Sequence, residues 1–251
     1  MDSSTDTVDL IAVINDYISK TKPVIYILTP CYGGVCFVNY VNCLMATKEL
    51  FKEFNLNIEV IFCKNDSLVT RARNNLVAKA MNDPNMTHII FIDNDITWDP
   101  FDILKLLIAD KPIVGGIYPL KTYNFDKLVP NEENPNPAQL MISAKNNSHI
   151  NTTNDVDTLE MNILTYNVNY ISKEVKIKNN LTQVKHVATG FMMIQRNVIN
   201  EMSKTYYSTK YTDDVNFLTT DENKYAYALF DCGVLMTIIF QKIGCFAIVG
   251  H

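Results

Sequence analysis

Two carboxylates one residue apart, in the triplet Asp93-Asn94-Asp95, are the strongest chemical signal in the sequence. They repel each other unless a cation lies nearby, and oxygen ligands suit hard cations such as Mg²⁺ or Mn²⁺. A metal held this way keeps positions open for phosphate oxygens and neutralises charge on a departing diphosphate. The triplet therefore predicts that Asp93 and Asp95 hold Mn²⁺ or Mg²⁺ and that Asn94 lines the nucleotide site. An Asp-x-Asp also occurs in ordinary turns, so its surroundings must support the interpretation.

A second candidate group is Thr70-Arg71-Ala72-Arg73-Asn74, near the start of a predicted helix. Guanidinium groups pair with phosphate oxygens in bidentate fashion, so Arg71 and Arg73 are candidate diphosphate ligands. The alternative is a solvated helix face with surface ion pairs. Of this group, Arg73 and Asn74 are the favoured binding residues.

A third candidate is the segment from Leu28 to Gly34, which follows the first predicted strand. Its glycines let the backbone approach a ligand, and Tyr32 could stack on a base. Thr29 and Pro30 would line the same site. The segment is neither a Rossmann fingerprint nor a Walker loop, and similar strand-to-helix turns are common.

Apolar runs and helical spacing predict the elements that position these residues. Strands are expected at 24–28, 58–62, 88–92, 113–117, 191–194 and 245–249. Helices are expected at 35–54, from Ser67 as a cap to Met81, after the cap Asp99, at 198–202 and at 232–243. The alternation predicts right-handed βαβ units, and therefore an α/β fold with a mainly parallel sheet flanked by helices. In the first helix, the expected inward residues are Val38, Val41, Leu44, Met45, Phe51 and Phe54.

The proposed domain organisation is an N-terminal segment, 1–22, followed by a single domain, 23–251. Residues 122–185 are polar and rich in Pro and Asn, and they are expected to form an insertion over the site. Within it, Tyr166 to Tyr170 and Glu174 to Ile177 are predicted to pair as a hairpin.

Composition excludes several classes of function. The 251 residues carry a net charge of -5, which argues against a broad surface for nucleic acid. The six cysteines include no C-x-x-C pair, which disfavours a zinc site and fits a reducing compartment. The start of the chain does not resemble a signal peptide, so a cytoplasmic location is expected. Val234 to Val249 is the most apolar stretch, and a buried helix and strand are favoured there over a membrane anchor.

Taken in order, these residues resemble the GT-A class of glycosyltransferases, particularly small stand-alone enzymes of large DNA viruses and bacteria. The likeness covers residues 29 to 121 well and 186 to 194 in part. The matching pieces are Thr29-Pro30, 71–74, 91–95, 98–100, 114–119 with Lys121, and 188–192.

The resemblance implies a Rossmann-like GT-A fold, a metal-bound nucleotide sugar and transfer of the sugar to an acceptor hydroxyl. Asp93 and Asp95 fall on the family's metal motif. The nucleoside and diphosphate pocket would be lined by Thr29, Tyr32, Arg73 and Asn74. Lys121, His186 and Gly190 would lie near the donor sugar or the acceptor. The implied partners are a UDP- or GDP-linked sugar and a glycan or protein acceptor, in host cytoplasm or the virion if the protein is viral.

The C-terminal part departs from the family pattern, which usually has a Glu-Asp pair at the start of a late helix. Asp231 is the candidate base there, although it could equally be a helix N-cap. Asp221-Glu222 is a weaker candidate. His251 is a possible third metal ligand, since imidazole suits Mn²⁺, but chain ends are often frayed.

Two other functions fit parts of the sequence. The absence of the Glu-Asp pair allows a relative that binds sugar nucleotides or glycans without turnover. A sugar nucleotidyltransferase also uses carboxylates and metal, but it usually needs a basic Gly-rich loop, and 30–34 contains no basic residue.

Overall fold

The computed structural model describes residues 3–146, 154–172, 174–231 and 245–248. The chain divides into two units, of which the first comprises 1–116 with 168–251 and the second comprises 117–167. The helices are α1 (Ser3–Thr21), α2 (Val38–Glu53), α3 (Val69–Met81), α4 (Pro100–Ile108), α5 (Pro137–Asn146), α6 (Asp155–Ile163) and α7 (Arg196–Thr205). The strands are β1 (Val24–Cys31), β2 (Asn57–Lys64), β3 (His88–Ile92), β4 (Ile113–Gly116), β5 (Pro119–Tyr123), β6 (Leu164–Tyr166), β7 (Asn169–Tyr170), β8 (Ile177–Lys178), β9 (Leu181–His186), β10 (Phe191–Gln195) and β11 (Cys245–Ile248).

The first unit contains a mixed sheet in the order β2-β1-β3-β10-β4-β11-β9-β7, with β8 also paired to β9. β1 is parallel to both β2 and β3, and β4 is parallel to β11. β10 runs antiparallel between β3 and β4, so β3 and β4 point the same way. This confirms an α/β fold with a central sheet flanked by helices, and β10 makes that sheet a mixed one.

β3 is the most buried strand, because neighbouring strands and layers cover it on all sides. All five of its residues are buried, which explains its unbroken apolar sequence. The same strand delivers the Asp93-Asn94-Asp95 triplet, and α4 begins soon after it. Asp99 caps α4 by accepting from the Phe101 amide at 2.8 Å, while Asp102 accepts from the Asp99 amide at 3.1 Å. This cap was predicted correctly.

The inward face of α2 was predicted wrongly in part. Val38, Val41 and Met45 are exposed, and the buried residues are Tyr40, Thr47 and Phe51. Two of these are polar but satisfied: the Tyr40 hydroxyl bonds Thr29, and the Thr47 hydroxyl accepts from Trp98 Nε1 at 2.9 Å. Because buried polar groups with partners are tolerated, apolar spacing alone found Phe51 but missed Tyr40 and Thr47.

Three other local predictions are corrected. The N-cap of α3 is Leu68, whose amide donates to Asp66 at 2.9 Å, and Ser67 makes no cap. The segments around Tyr170 and Ile177 do not pair with each other, because β7 and β8 both pair with β9. The predicted helix at 232–243 lies outside the described residues.

The second unit, 117–167, is narrower than the expected insertion at 122–185, since β7 to β9 belong to the first unit. It contains β5, α5, α6 and β6, and its two strands pair antiparallel. Lys127, in the turn after β5, donates to the carbonyls of Asn162 in α6 and Leu164 in β6 at 2.8 and 3.1 Å. Within 1–22, predicted as an N-terminal segment, Ser3–Thr21 form α1, which packs on α4 in the first unit. No helix among the described residues is long and apolar enough to span a membrane.

Candidate functional site

A pocket of about 220 Å³ lies where β1, β2 and β3 end. These parallel neighbours present their carboxyl ends at one edge of the sheet, which is where ligands bind in open α/β folds. The lining residues are Pro30, Tyr32, Asp66, Ser67, Val69, Arg73, Asp93, Asn94 and Asp95. Three segments that were singled out separately in the sequence therefore meet in one place.

A larger surface groove of about 950 Å³ occurs at the opposite ends of β1 and β2. It is lined partly by Lys22, Lys48 and Lys52 and contains none of the predicted site residues. The smaller pocket is the better candidate because it combines carboxylates, a guanidinium and the carboxyl ends of the strands.

Backbone hydrogen bonds hold the triplet in place on both sides. The Asp93 amide donates to the carbonyl of Gly190 at 3.0 Å, and the Ile96 amide returns to the carbonyl of Asp93 at 3.0 Å. Asn94 Nδ2 donates to the carbonyl of Val35 at 2.7 Å, and the Asn94 carbonyl accepts from the Phe37 amide at 3.1 Å. The Asn94 amide thus fastens the turn before α2 to the end of β3.

Arg73 provides the positive charge of the pocket. Its Nη2 donates to Asp93 Oδ1 at 2.9 Å, and its Cζ lies 5.9 Å from the centre of the Phe91 ring. The side chain is 12% exposed, and its Nε is buried with no hydrogen-bond partner among the described residues. A buried donor without an acceptor costs free energy, so a ligand acceptor atom that reached this N–H would stabilise the site.

Tyr32 is the aromatic group at the rim. It is 73% exposed and lies in a short 3₁₀ turn, Tyr32–Gly34. Gly33 and Gly34 have φ of 72° and 70°, a left-handed backbone that favours glycine. An exposed ring that lines the pocket can stack on a planar ligand.

Arg71 and Thr29 are engaged elsewhere. Arg71 holds Asp66 in a bidentate pair, with Nε and Nη2 at 2.9 and 2.8 Å from the carboxylate oxygens. This hydrogen bonding to Arg71 lowers the pKa of Asp66. Thr29 is fully buried, and its hydroxyl lies 2.5 Å from that of Tyr40.

Sequence reasoning missed Asp66, Ser67 and Val69 as residues that line the pocket. Asp66 follows β2 just as Asp93 follows β3, so the position of a carboxylate after a parallel strand was the available signal. Its side chain is only 5% exposed.

Asn74 does not line the pocket. Its side chain bonds Phe230 and Asp231, the last described residues before 232. Its Nδ2 donates to Asp231 Oδ1 at 2.9 Å, and its Oδ1 accepts from the Phe230 amide at 2.9 Å. Asp231 is exposed and does not line the pocket. The predicted base is therefore attached to the helix that carries Arg73.

The remaining predicted residues have separate locations. Lys121 is exposed on β5 in the second unit, His186 is exposed at the end of β9, and Gly190 is the buried residue before β10. His251 lies outside the described residues.

The carboxylates that line the pocket are the candidate ligands of a divalent cation. Among the described residues, no three His, Cys, Asp or Glu side chains are grouped so that they could hold a metal by themselves. Mg²⁺ is commonly bound by one or two carboxylates, with phosphates and waters completing its shell. Asp93 and Asp95, on one turn at the pocket, fit that mode.

Comparison with known proteins adds little to this description. No protein-family model matches the chain, and no curated protein matches it. The chain is similar to the crystal structure of A197 from STIV, with a TM-score of 0.43 and 13% identity, covering 90% of this chain and 81% of that one. Similarity at this level carries no conclusion about fold family or function.

Proposed function

We propose that the protein is a metal-dependent glycosyltransferase of the GT-A class, which moves a sugar from a nucleotide-diphosphate donor to an acceptor hydroxyl. The observation that carries the proposal is the buried, unpartnered Nε–H of Arg73, in the same pocket as Asp93 and Asp95. A cation with a spare buried donor, beside two carboxylates, suits a diphosphate with its metal ion better than it suits a neutral ligand.

The pocket residues have distinct roles in this proposal. Tyr32 stacks on the base, and Arg73 donates from Nε to a diphosphate oxygen while Nη2 keeps Asp93 in place. Asp93 and Asp95 hold Mn²⁺ or Mg²⁺, which neutralises charge on the leaving diphosphate. The donor is a UDP- or GDP-linked sugar, and the acceptor is a glycan or a protein hydroxyl.

Group transfer requires one bond to form and one to break. The acceptor oxygen bonds the anomeric carbon of the sugar, and the bond from that carbon to the diphosphate breaks with its electrons leaving on the nucleotide. The acceptor proton goes to Asp231. These steps balance without any other reactant.

The test is calorimetric titration of UDP and GDP into the protein with and without Mn²⁺. Wild-type protein should bind one of them only with the metal, and Asp95→Ala should weaken binding by at least about 100-fold, or ~2.7 kcal/mol. Asp99→Ala is the matched control, because Asp99 lies four residues away and caps α4 outside the pocket. Unchanged binding by Asp95→Ala, or by wild-type protein in EDTA, would falsify the metal assignment.

A second candidate, a relative that binds the donor without turnover, is favoured by one observation: Asp231 does not line the pocket. The two candidates share the nucleotide titration and differ in chemistry. Metal-dependent hydrolysis of UDP-glucose or GDP-mannose above the level of Asp93→Ala eliminates the binding-only candidate.

A further inference from the structure

Helix α3 carries two adjacent buried amides, Asn74 and Asn75, which are 3% and 0% exposed. Buried asparagines are uncommon and need hydrogen-bond partners. Each finds its partners in the chain that follows α7. Asn75 donates to Asp213 at 2.9 Å and accepts from the Tyr211 hydroxyl. Asn74 likewise donates to Asp231 and accepts from the Phe230 amide.

Asn74 holds its partners at two points. Its oxygen fixes the backbone at the Phe230 amide, and its Nδ2 fixes Asp231 through Oδ1, both at 2.9 Å. This bond engages Oδ1 of Asp231 and leaves Oδ2, the other carboxylate oxygen of this exposed residue, outside it. One oxygen is therefore held while the other remains available on an exposed residue.

Aromatic packing connects Phe230, which Asn74 holds, to β3, the strand that leads to the pocket. The Phe230 ring packs edge-on against Phe91, with centroids 5.0 Å apart. Phe91 also lies beneath the guanidinium of Arg73, whose Nη2 donates to Asp93, so one side chain contacts both residues. Phe230, the residue before Asp231, is therefore packed against the strand that leads into the metal motif.

We propose that Asn74 is a positioning residue, which holds the Asp231 carboxylate so that its free Oδ2 accepts the proton of the acceptor hydroxyl. This inference rests on the proposed transferase function and reassigns Asn74 from the donor pocket. The proton moves from the acceptor oxygen to Oδ2 as the oxygen bonds the anomeric carbon and the nucleoside diphosphate leaves. Asn74 exchanges no proton in this step.

The test variant is Asn74→Asp, which keeps an acceptor for the Phe230 amide but removes the donor to Asp231. The probe reactions are hydrolysis of UDP-glucose and of GDP-mannose in Mn²⁺. We expect kcat to fall about 100-fold, within the usual contribution of a positioned base, while KM and nucleotide binding change by less than about threefold. Asn75→Asp is the matched control, because it breaks an equivalent buried amide–carboxylate bond and should leave kcat within about threefold.

The double variant Asn74→Asp with Asp231→Asn separates positioning from folding. The swap restores an amide–carboxylate pair between the two positions but removes the carboxylate from position 231. We expect Tm to recover toward wild type while kcat stays low. Recovery of kcat together with Tm would overturn the proposal, since Asn74 would then have only a structural role.

Two further results would also overturn the inference. Equal losses of nucleotide affinity and kcat in Asn74→Asp would make Asn74 a donor ligand. Wild-type protein that binds nucleotide with Mn²⁺ but hydrolyses neither sugar nucleotide would remove the role of Asp231 while leaving the donor site intact. Failure of the proposed function itself looks different, because then no metal-dependent nucleotide binding is seen at all.

Discussion

Arg73 enters the pocket from α3 with one nitrogen on Asp93 and its Nε–H buried without an acceptor among the described residues. Its neighbour Arg71 has the same chemistry but is bound to Asp66 through two hydrogen bonds. The two arginines have a single residue between them in the sequence, where Arg73 was the favoured ligand. Their different partners make Arg73 the better candidate for contact with a diphosphate.

Replacing Arg73 should weaken nucleotide binding in a graded way. Arg73→Ala removes the proposed hydrogen bond to the diphosphate and the bond that holds the metal ligand Asp93, and together these losses should reduce affinity about 100-fold, or ~2.7 kcal/mol. Arg73→Lys keeps the charge but loses the guanidinium fork, so about tenfold weakening is expected. Titration calorimetry with UDP and GDP in Mn²⁺ measures both.

Arg196→Ala is the control for the loss of a buried guanidinium. Arg196 donates to the carbonyls of Met81, Asp83 and Met86, away from the pocket residues. It should lower stability with little change in nucleotide affinity. Affinity unaffected by Arg73→Ala would contradict the role assigned to this residue.

At the scale of elements, β3 links the core of the sheet to the site. It begins at His88, which is 7% exposed, and its Nδ1 lies 2.8 Å from the Thr87 hydroxyl. Burial lowers the pKa of His88 from 6.5 to about 4, while the charge of Asp110 acts in the opposite direction. The first residue of this strand is therefore neutral in the folded protein at pH 7.

This burial should make stability depend on pH. The unfolded chain takes up a proton at His88 near pH 6.5, but the folded protein does so only near pH 4. The stabilisation is therefore complete above pH 6.5 and declines as pH falls to 4, by about 3 kcal/mol. Urea unfolding at pH 7 and pH 4.5 measures the loss in the free energy of unfolding between the two pH values. This loss should be larger in wild type than in His88→Gln, because the carboxylates contribute equally in the two proteins. Equal losses in the two proteins would disprove the assignment to His88.

Helix α3 connects the pocket to the chain that follows α7. Arg73 bonds Asp93, Asn74 bonds Asp231, and Asn75 bonds Asp213. Three consecutive residues on one helix thus contact the end of β3 and two segments of the chain after α7. A single turn of helix can do this because neighbouring residues point about 100° apart around its axis.

At the scale of the whole molecule, the N-terminal helix α1 belongs to the first unit. α1 buries Ile14 completely, and the Tyr17 hydroxyl donates to Asp110 at 3.2 Å. The pKa of Tyr17 is raised to about 12, chiefly by burial. The N-terminal helix is therefore part of the packed structure.

Truncating the buried side chain of α1 should lower global stability. Ile14→Ala creates a cavity and should cost about 2–4 kcal/mol in the free energy of unfolding. Ile11 lies on the same helix but is 38% exposed, so Ile11→Ala should cost less than about 1 kcal/mol. Chemical denaturation measures both. Equal small effects would mean that α1 does not contribute to the core.

Much of the site could be predicted from short stretches of sequence. β3, the triplet after it and the cap at Asp99 depend on residues within a few positions of one another, so local hydrophobic pattern and capping chemistry determine them. Tyr32, Arg73 and Asp93 could be expected to lie in one place because neighbouring parallel strands end at one edge of a sheet.

Other features depend on partners that are distant in the chain. β10 runs antiparallel between β3 and β4, polar Tyr40 and Thr47 face the core, and Arg71 differs from Arg73 only through Asp66. Asn74 meets Asp231 across 157 residues. The sequence by itself therefore determined which residues stand at the ends of the central strands. Only the tertiary structure decided which of them are already bonded to other groups, because a hydrogen bond between distant residues leaves no periodic trace in the sequence.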